Sequence, residues 1–117
     1  MEKNIFLIGF KKNIYRYLKN CSALISVAQY EDPGFTLIEA AYLRKKIITS
    51  LVENGPLEMQ KNGKMCYFFQ PNNENDFINQ ILNSEKDENY NLKLISAQNF
   101  SRKFTVFSHN KIFKTLL

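Results

Sequence analysis

The chain has 117 residues, with 16 Lys and Arg against 11 Asp and Glu for a formal net charge of +5, and only one His and two Cys. This length holds one domain with one core, and a composition of 44% hydrophobic residues, including ten Phe and six Tyr, excludes an intrinsically disordered chain. No apolar run reaches the ~20 residues of a bilayer span, and the start, with Glu2 and Lys3 and no small-residue cleavage site, lacks the pattern of a secretion signal.

Ile5-Phe6-Leu7-Ile8, ended by Gly9, reads as a buried strand of a parallel sheet. Asn13 then caps a helix with Ile14, Tyr17 and Leu18 at helical spacing, and Lys11, Lys12, Arg16 and Lys19 are left for solvent. Ala23 to Val27 is the second strand. The turn chemistry of Asp32, Pro33 and Gly34 introduces a helix from about Phe35 to Leu43, and Ile47 to Thr49 is the third strand.

Asn54-Gly55-Pro56 marks a turn, with Pro56 opening a short helix that Gly63 ends. Met65 to Phe69 is the fourth strand, and Asn72 or Asn73 caps a helix bearing Phe77, Ile78, Ile81 and Leu82. Ser84 to Asn91 reads as a polar linker, followed by helices over Leu92 to Phe104 and Val106 to Leu117. Strands alternating with helices predict an α/β fold, a Rossmann-like three-layer α/β/α unit with a parallel sheet of about four strands in a single domain over 1–117.

Cys21 and Cys66 have no Cys or His beside them, so they match neither a zinc site nor a redox pair and are expected to be reduced thiols. His109 lacks a second candidate ligand and reads as a surface residue, so no metal is expected. The tail's Arg102, Lys103, Lys111 and Lys114 alternate with Phe100, Phe104, Phe107 and Phe113, which amphipathic helices closing a sheet explain without nucleic acid. Arg44-Lys45-Lys46 reads as a solvated helix end, with contact to an anionic membrane as the alternative.

Ligands of open parallel sheets bind beyond the carboxyl ends of the strands. The informative loop there carries Glu31, Asp32, Pro33 and Gly34 and runs into a helix bearing Glu39. A helix start offers unpaired N–H groups and partial positive charge to a phosphate, and Gly34 permits close approach. Glu31 and Glu39 flank that helix end as acceptors for hydroxyls on either side of a diphosphate. A phosphate-receiver domain of similar length is disfavoured, because Gly9-Phe10-Lys11-Lys12 stands where an acidic pair is needed.

The stretch from Glu31 to Glu39, followed by Ala40-Ala41, resembles the Glu-x7-Glu motif of the retaining glycosyltransferases of family 4, in the C-terminal, donor-binding domain of their GT-B architecture. Ile5 to Phe10, Tyr15 to Cys21, Ala23 to Ser26 and Lys46 to Ser50 resemble the strands and helix around that motif. Asn54-Gly55-Pro56-Leu57-Glu58 with Lys61-Asn62-Gly63 resembles a stretch of members that build surface polysaccharides. Pro33 stands where many members have Phe, and Lys45 or Lys46 where they have Pro.

The resemblance implies that Glu31 contacts the transferred sugar and serves catalysis, and that Glu39 holds ribose hydroxyls of a nucleotide-diphosphate sugar. Backbone amides of Gly34, Phe35 and Thr36 would face the diphosphate, and Gly9 and Phe10 the base. No metal or other cofactor is implied. The resemblance covers the donor half alone and lacks the Arg and Lys with which the family grips the diphosphate. Retaining hexosyl transfer in polysaccharide or glycolipid synthesis is therefore expected only with an N-terminal acceptor domain or partner chain, in the cytoplasm or at the inner membrane face. The alternative reading is an inactive remnant or isolated α/β interaction module.

Overall fold

A computed structural model describes residues 3–61 and 65–116, with His109 in its backbone alone. Gly63, Leu117 and the surroundings of the His109 side chain lie outside that description. Three parallel strands, β1 (Ala23–Ser26), β2 (Lys46–Ser50) and β3 (Tyr67–Phe69), form a sheet in the order β1-β2-β3. Ala23 is in register with Lys46, and Ile48 with Tyr67. The helices are α1 (Tyr15–Asn20), α2 (Phe35–Tyr42), α3 (Gly55–Lys61), α4 (Glu74–Lys86), α5 (Tyr90–Ser101) and α6 (Val106–Leu116), with a 3₁₀ turn at Arg102–Phe104.

Side chains alternate across the sheet as a two-residue period requires. Leu24, Ile47, Cys66 and Phe68 join Leu18, Leu37, Ala40, Ala41, Met59, Ala97 and Phe100 in the larger core, under α1, α2, α3 and α5. Ala23, Ile48, Tyr67 and Phe69 face Phe77 and Ile81 of α4 on the other side. This is the expected three-layer Rossmann-like arrangement, with three strands instead of about four.

The missing strand is Ile5 to Ile8. This segment has no regular structure, and Phe6 and Leu7 are 78% and 83% exposed. Hydrophobicity makes a run burial-prone, but a strand also needs a ladder partner, and residues 5–8 donate no backbone hydrogen bond to any described residue.

Helix ends follow local chemistry. Asn13 Oδ1 accepts the Tyr15 N–H at 3.1 Å at the start of α1, and of the two candidate caps for α4 Asn73 is used, accepting from Asp76 N–H at 3.0 Å. At the end of α2, Arg44 takes a left-handed φ of 55°, its N–H donates to Ala41 O and that of Lys45 to Ala40 O, a Schellman ending without glycine. Arg44 Nε donates to Gln98 Oε1 at 2.7 Å, and Gln98 Nε2 to Tyr42 O at 2.9 Å, tying α2 to α5.

The other two cations of that basic run also have protein partners. Lys45 Nζ donates to the carbonyls of Lys19 and Cys21. Lys46 Nζ donates to Ser84 O at 2.6 Å and lies 4.7 Å from the centre of the Tyr90 ring.

The expected linker at Ser84 to Asn91 is mostly helical: α4 continues to Lys86 with Ser84 buried, and α5 begins at Tyr90. Polarity misleads there because Ser84 folds its hydroxyl back onto Ile81 O at 2.7 Å. The tail departs from expectation too. Phe107 is 86% exposed and Ile112 and Phe113 are exposed, so α6 does not close the sheet.

Asp87 links α4, α5 and the sheet. Its Oδ2 accepts from Lys93 Nζ and from Tyr67 Oη, each at 2.8 Å. The Lys93 hydrogen bond, followed by that of Tyr67, holds the Asp87 carboxyl down to about 2 from an ordinary 3.8. A carboxyl depressed on folding contributes stability above its unfolded value and loses it as pH falls through the folded one. Asp87→Asn is therefore expected to melt below the parent at pH 7, with the gap closing between about pH 4 and pH 2 in thermal unfolding followed by circular dichroism.

Candidate functional site

The carboxyl ends of the strands lie at Ser26, Ser50 and Phe69, where a cavity of about 340 Å³ is lined by Val27, Ser50, Phe69, Asn73 and Phe77 among others. The Ser50 hydroxyl donates to Ala28 O and holds the loop after β1 against the end of β2. That loop then carries Glu31, whose Oε1 stands 3.5 Å from Ser26 Oγ.

Gly34 is the residue before α2, buried and left-handed at φ 78°, ψ 55°. A Cβ there would lie 3.3 Å from Glu31 Oε2 and 3.2 Å from Leu37 Cδ1, so a side chain would be both strained and crowded. Its carbonyl accepts the N–H groups of Leu37 and Ile38. The N–H groups of Gly34, Phe35 and Thr36 donate to no acceptor among the described residues, as the first turn of a helix dictates. Phe35 and Thr36 are exposed, and Gly34 is buried beside the Glu31 carboxylate.

Glu39 lies farther along α2, half-buried, and its Oε1 accepts a hydrogen bond from Tyr15 Oη at 3.0 Å. That bond, with the negative charge behind it, pushes the Tyr15 hydroxyl above its ordinary pKa. Glu31 thus lies beside Gly34 at the start of α2, and Glu39 lies within the helix. Gly9 has open space where a Cβ would stand, Phe10 is 93% exposed, and neither makes a hydrogen bond to Glu31 or Glu39.

Three residues of this region are not marked as site residues by the sequence pattern. Tyr15 reaches Glu39 from another helix. Asn54 forms an isolated parallel bridge with Glu31. Gly55 sits so close to Pro33 that an added Cβ would be 2.3 Å from the Pro33 carbonyl oxygen. The Asn54-Gly55 turn was visible as a turn, but that it presses on the loop of Glu31 depends on the pairing of β1 with β2.

Asp32, Glu53, Glu58 and Lys61 line a hollow of about 440 Å³ beneath that contact. Among the described residues no group of His, Cys, Asp and Glu is arranged to hold a metal ion, and no helix is long and apolar enough to cross a membrane. Both cysteines are free, and burial pushes the Cys66 thiol up to about 12, which keeps it unreactive.

A three-layer unit with helices on both faces of a parallel sheet defines a Rossmann-like α/β domain. Its sequence belongs to the glycosyl transferases group 1 family, whose model matches residues 1–100. The chain is similar to a poly(ribitol-phosphate) alpha-N-acetylglucosaminyltransferase of Staphylococcus aureus (strain COL), 28% identical over 82 residues that make up 70% of this chain and 17% of the relative. It is also similar to an uncharacterized glycosyltransferase, MJ1059, of Methanocaldococcus jannaschii, 29% identical over 59 residues, 50% of this chain and 14% of the relative. The aligned parts are therefore less than a fifth of either relative's length. No solved structure matches the chain.

Proposed function

We propose that this chain binds the nucleotide-diphosphate sugar donor of a retaining glycosyltransferase. The observation that carries the reading is the start of α2, where the N–H groups of Gly34, Phe35 and Thr36 have no acceptor among the described residues, with Glu31 beside Gly34 and Glu39 farther along the same helix. Amides and a helix dipole suit the diphosphate. The two carboxylates suit sugar and ribose hydroxyls, with Glu31 toward the transferred sugar and Glu39 toward the ribose.

Stabilising the diphosphate as it departs supplies catalytic power without a metal, since negative charge develops where donors are already aimed. Transfer also requires an oriented acceptor and exclusion of water. We assign those tasks to an N-terminal acceptor domain or partner chain, which makes this chain by itself a donor binder. The family membership and a relative named for poly(ribitol-phosphate) glycosylation support a role in cytoplasmic synthesis of a surface polymer.

Titration of the 117-residue chain with UDP-sugars and GDP-sugars, followed by amide NMR, tests the reading. Shifts around Gly34 and Glu39 that disappear in Glu39→Ala are expected. An unchanged spectrum at millimolar ligand overturns the proposal and leaves an α/β module without donor binding.

A further inference from the structure

We propose that Tyr15 is a positioning residue for ribose recognition: its hydroxyl holds the Glu39 carboxylate in the orientation that receives the ribose hydroxyls of the donor. This rests on the donor-binding reading above and adds a residue from a different helix to it.

The geometry is specific. Tyr15 Oη donates to Glu39 Oε1 at 3.0 Å across 24 positions of sequence, which leaves Oε2 for a ligand hydroxyl. The Tyr15 ring is 50% exposed and belongs to neither core cluster, so burial does not explain its placement. Its helix is anchored independently. Leu18 is buried in the larger core, Asn13 holds the Tyr15 N–H, and Lys45 Nζ binds the carbonyls of Lys19 and Cys21 beyond the other end.

A glutamate on a helix has three side-chain torsions to immobilise when it binds a ligand, and a standing hydrogen bond immobilises them beforehand. Tyr15 thereby acts on the ribose through Glu39, without touching the reacting atoms.

The test compares UDP and GDP with their 2′,3′-dideoxy counterparts, titrated by NMR into the 117-residue parent chain, Tyr15→Phe, Glu39→Gln and the double variant. The parent is expected to prefer the ribonucleotide by about tenfold, the loss typical of a hydrogen bond to a charged group. Tyr15→Phe is expected to cut that preference to about threefold while the dideoxy affinity stays unchanged, and the double variant to match Glu39→Gln, since the two act as a unit. Phe keeps the ring, so the fold is retained and the amide spectrum checks it.

Equal weakening of both nucleotides in Tyr15→Phe, or no weakening of either, overturns the role of Tyr15 while a loss in Glu39→Gln leaves the donor reading standing. If Glu39→Gln and removal of the ribose hydroxyls have no effect in the parent, the donor reading fails and the role of Tyr15 with it.

Discussion

Leu37→Ala is expected to destabilise the domain by about 2–5 kcal/mol, the range for truncating a large aliphatic side chain in a packed core. Leu37 is 1% exposed and lies in the core between α2 and the sheet. It also supports the candidate site directly, since its Cδ1 stands 3.2 Å from where a Cβ on Gly34 would be. A domain of this size has about 5–15 kcal/mol in hand, so the loss removes a large share. Urea unfolding followed by circular dichroism is expected to show a lower midpoint at unchanged slope, the sign of a change in stability without a change in the surface exposed. A loss below about 1 kcal/mol would mean that the start of α2 is not seated as described.

Gly55→Ala is expected to cost about 1–3 kcal/mol, as overpacking does, and to disturb the candidate site more than its stability cost implies. The added Cβ would meet Pro33 O at 2.3 Å and Pro33 C at 3.0 Å. Both are backbone atoms, so no side-chain rotation relieves the clash and the two loops must separate. The Glu31–Asn54 bridge joins those same loops, and Pro33 lies between Glu31 and Gly34 in the chain. Amide shifts concentrated in residues 31–36 and 52–57, with weakened nucleotide-sugar binding, are the expected signature. Shifts confined to α3 would show that the loops move independently.

The run Glu31 to Glu39 was legible because its information is local. A glycine that must turn left-handed, a helix whose buried residues are Leu37, Ile38, Ala40 and Ala41, and two carboxylates at fixed spacing all lie within one stretch of chain. The same holds for Asn73, which caps a helix three residues ahead of its hydrogen-bond donor. The strands at Ala23, Ile47 and Tyr67 were legible as apolar runs, with ends displaced by one or two residues because the ladder, not hydropathy, sets where a strand stops.

What failed was of another kind. Ile5 to Ile8 has the composition of a strand and none of the pairing, and Ser84 has the composition of a linker but sits buried in the last turn of α4. Arg44, Lys45 and Lys46 read as one solvated patch, yet point to three separate partners, in α5, at the end of α1 and in α4.

The sequence by itself determined the α/β class, the helix start at Gly34 and the charge that suits a diphosphate, since periodicity, backbone conformation and composition act over a few residues. Only the tertiary structure decided that the sheet has three strands, that Tyr15 meets Glu39 and that Gly55 abuts Pro33. Those contacts join segments about twenty residues apart, which the packing of helices on a parallel sheet brings together and local sequence does not encode.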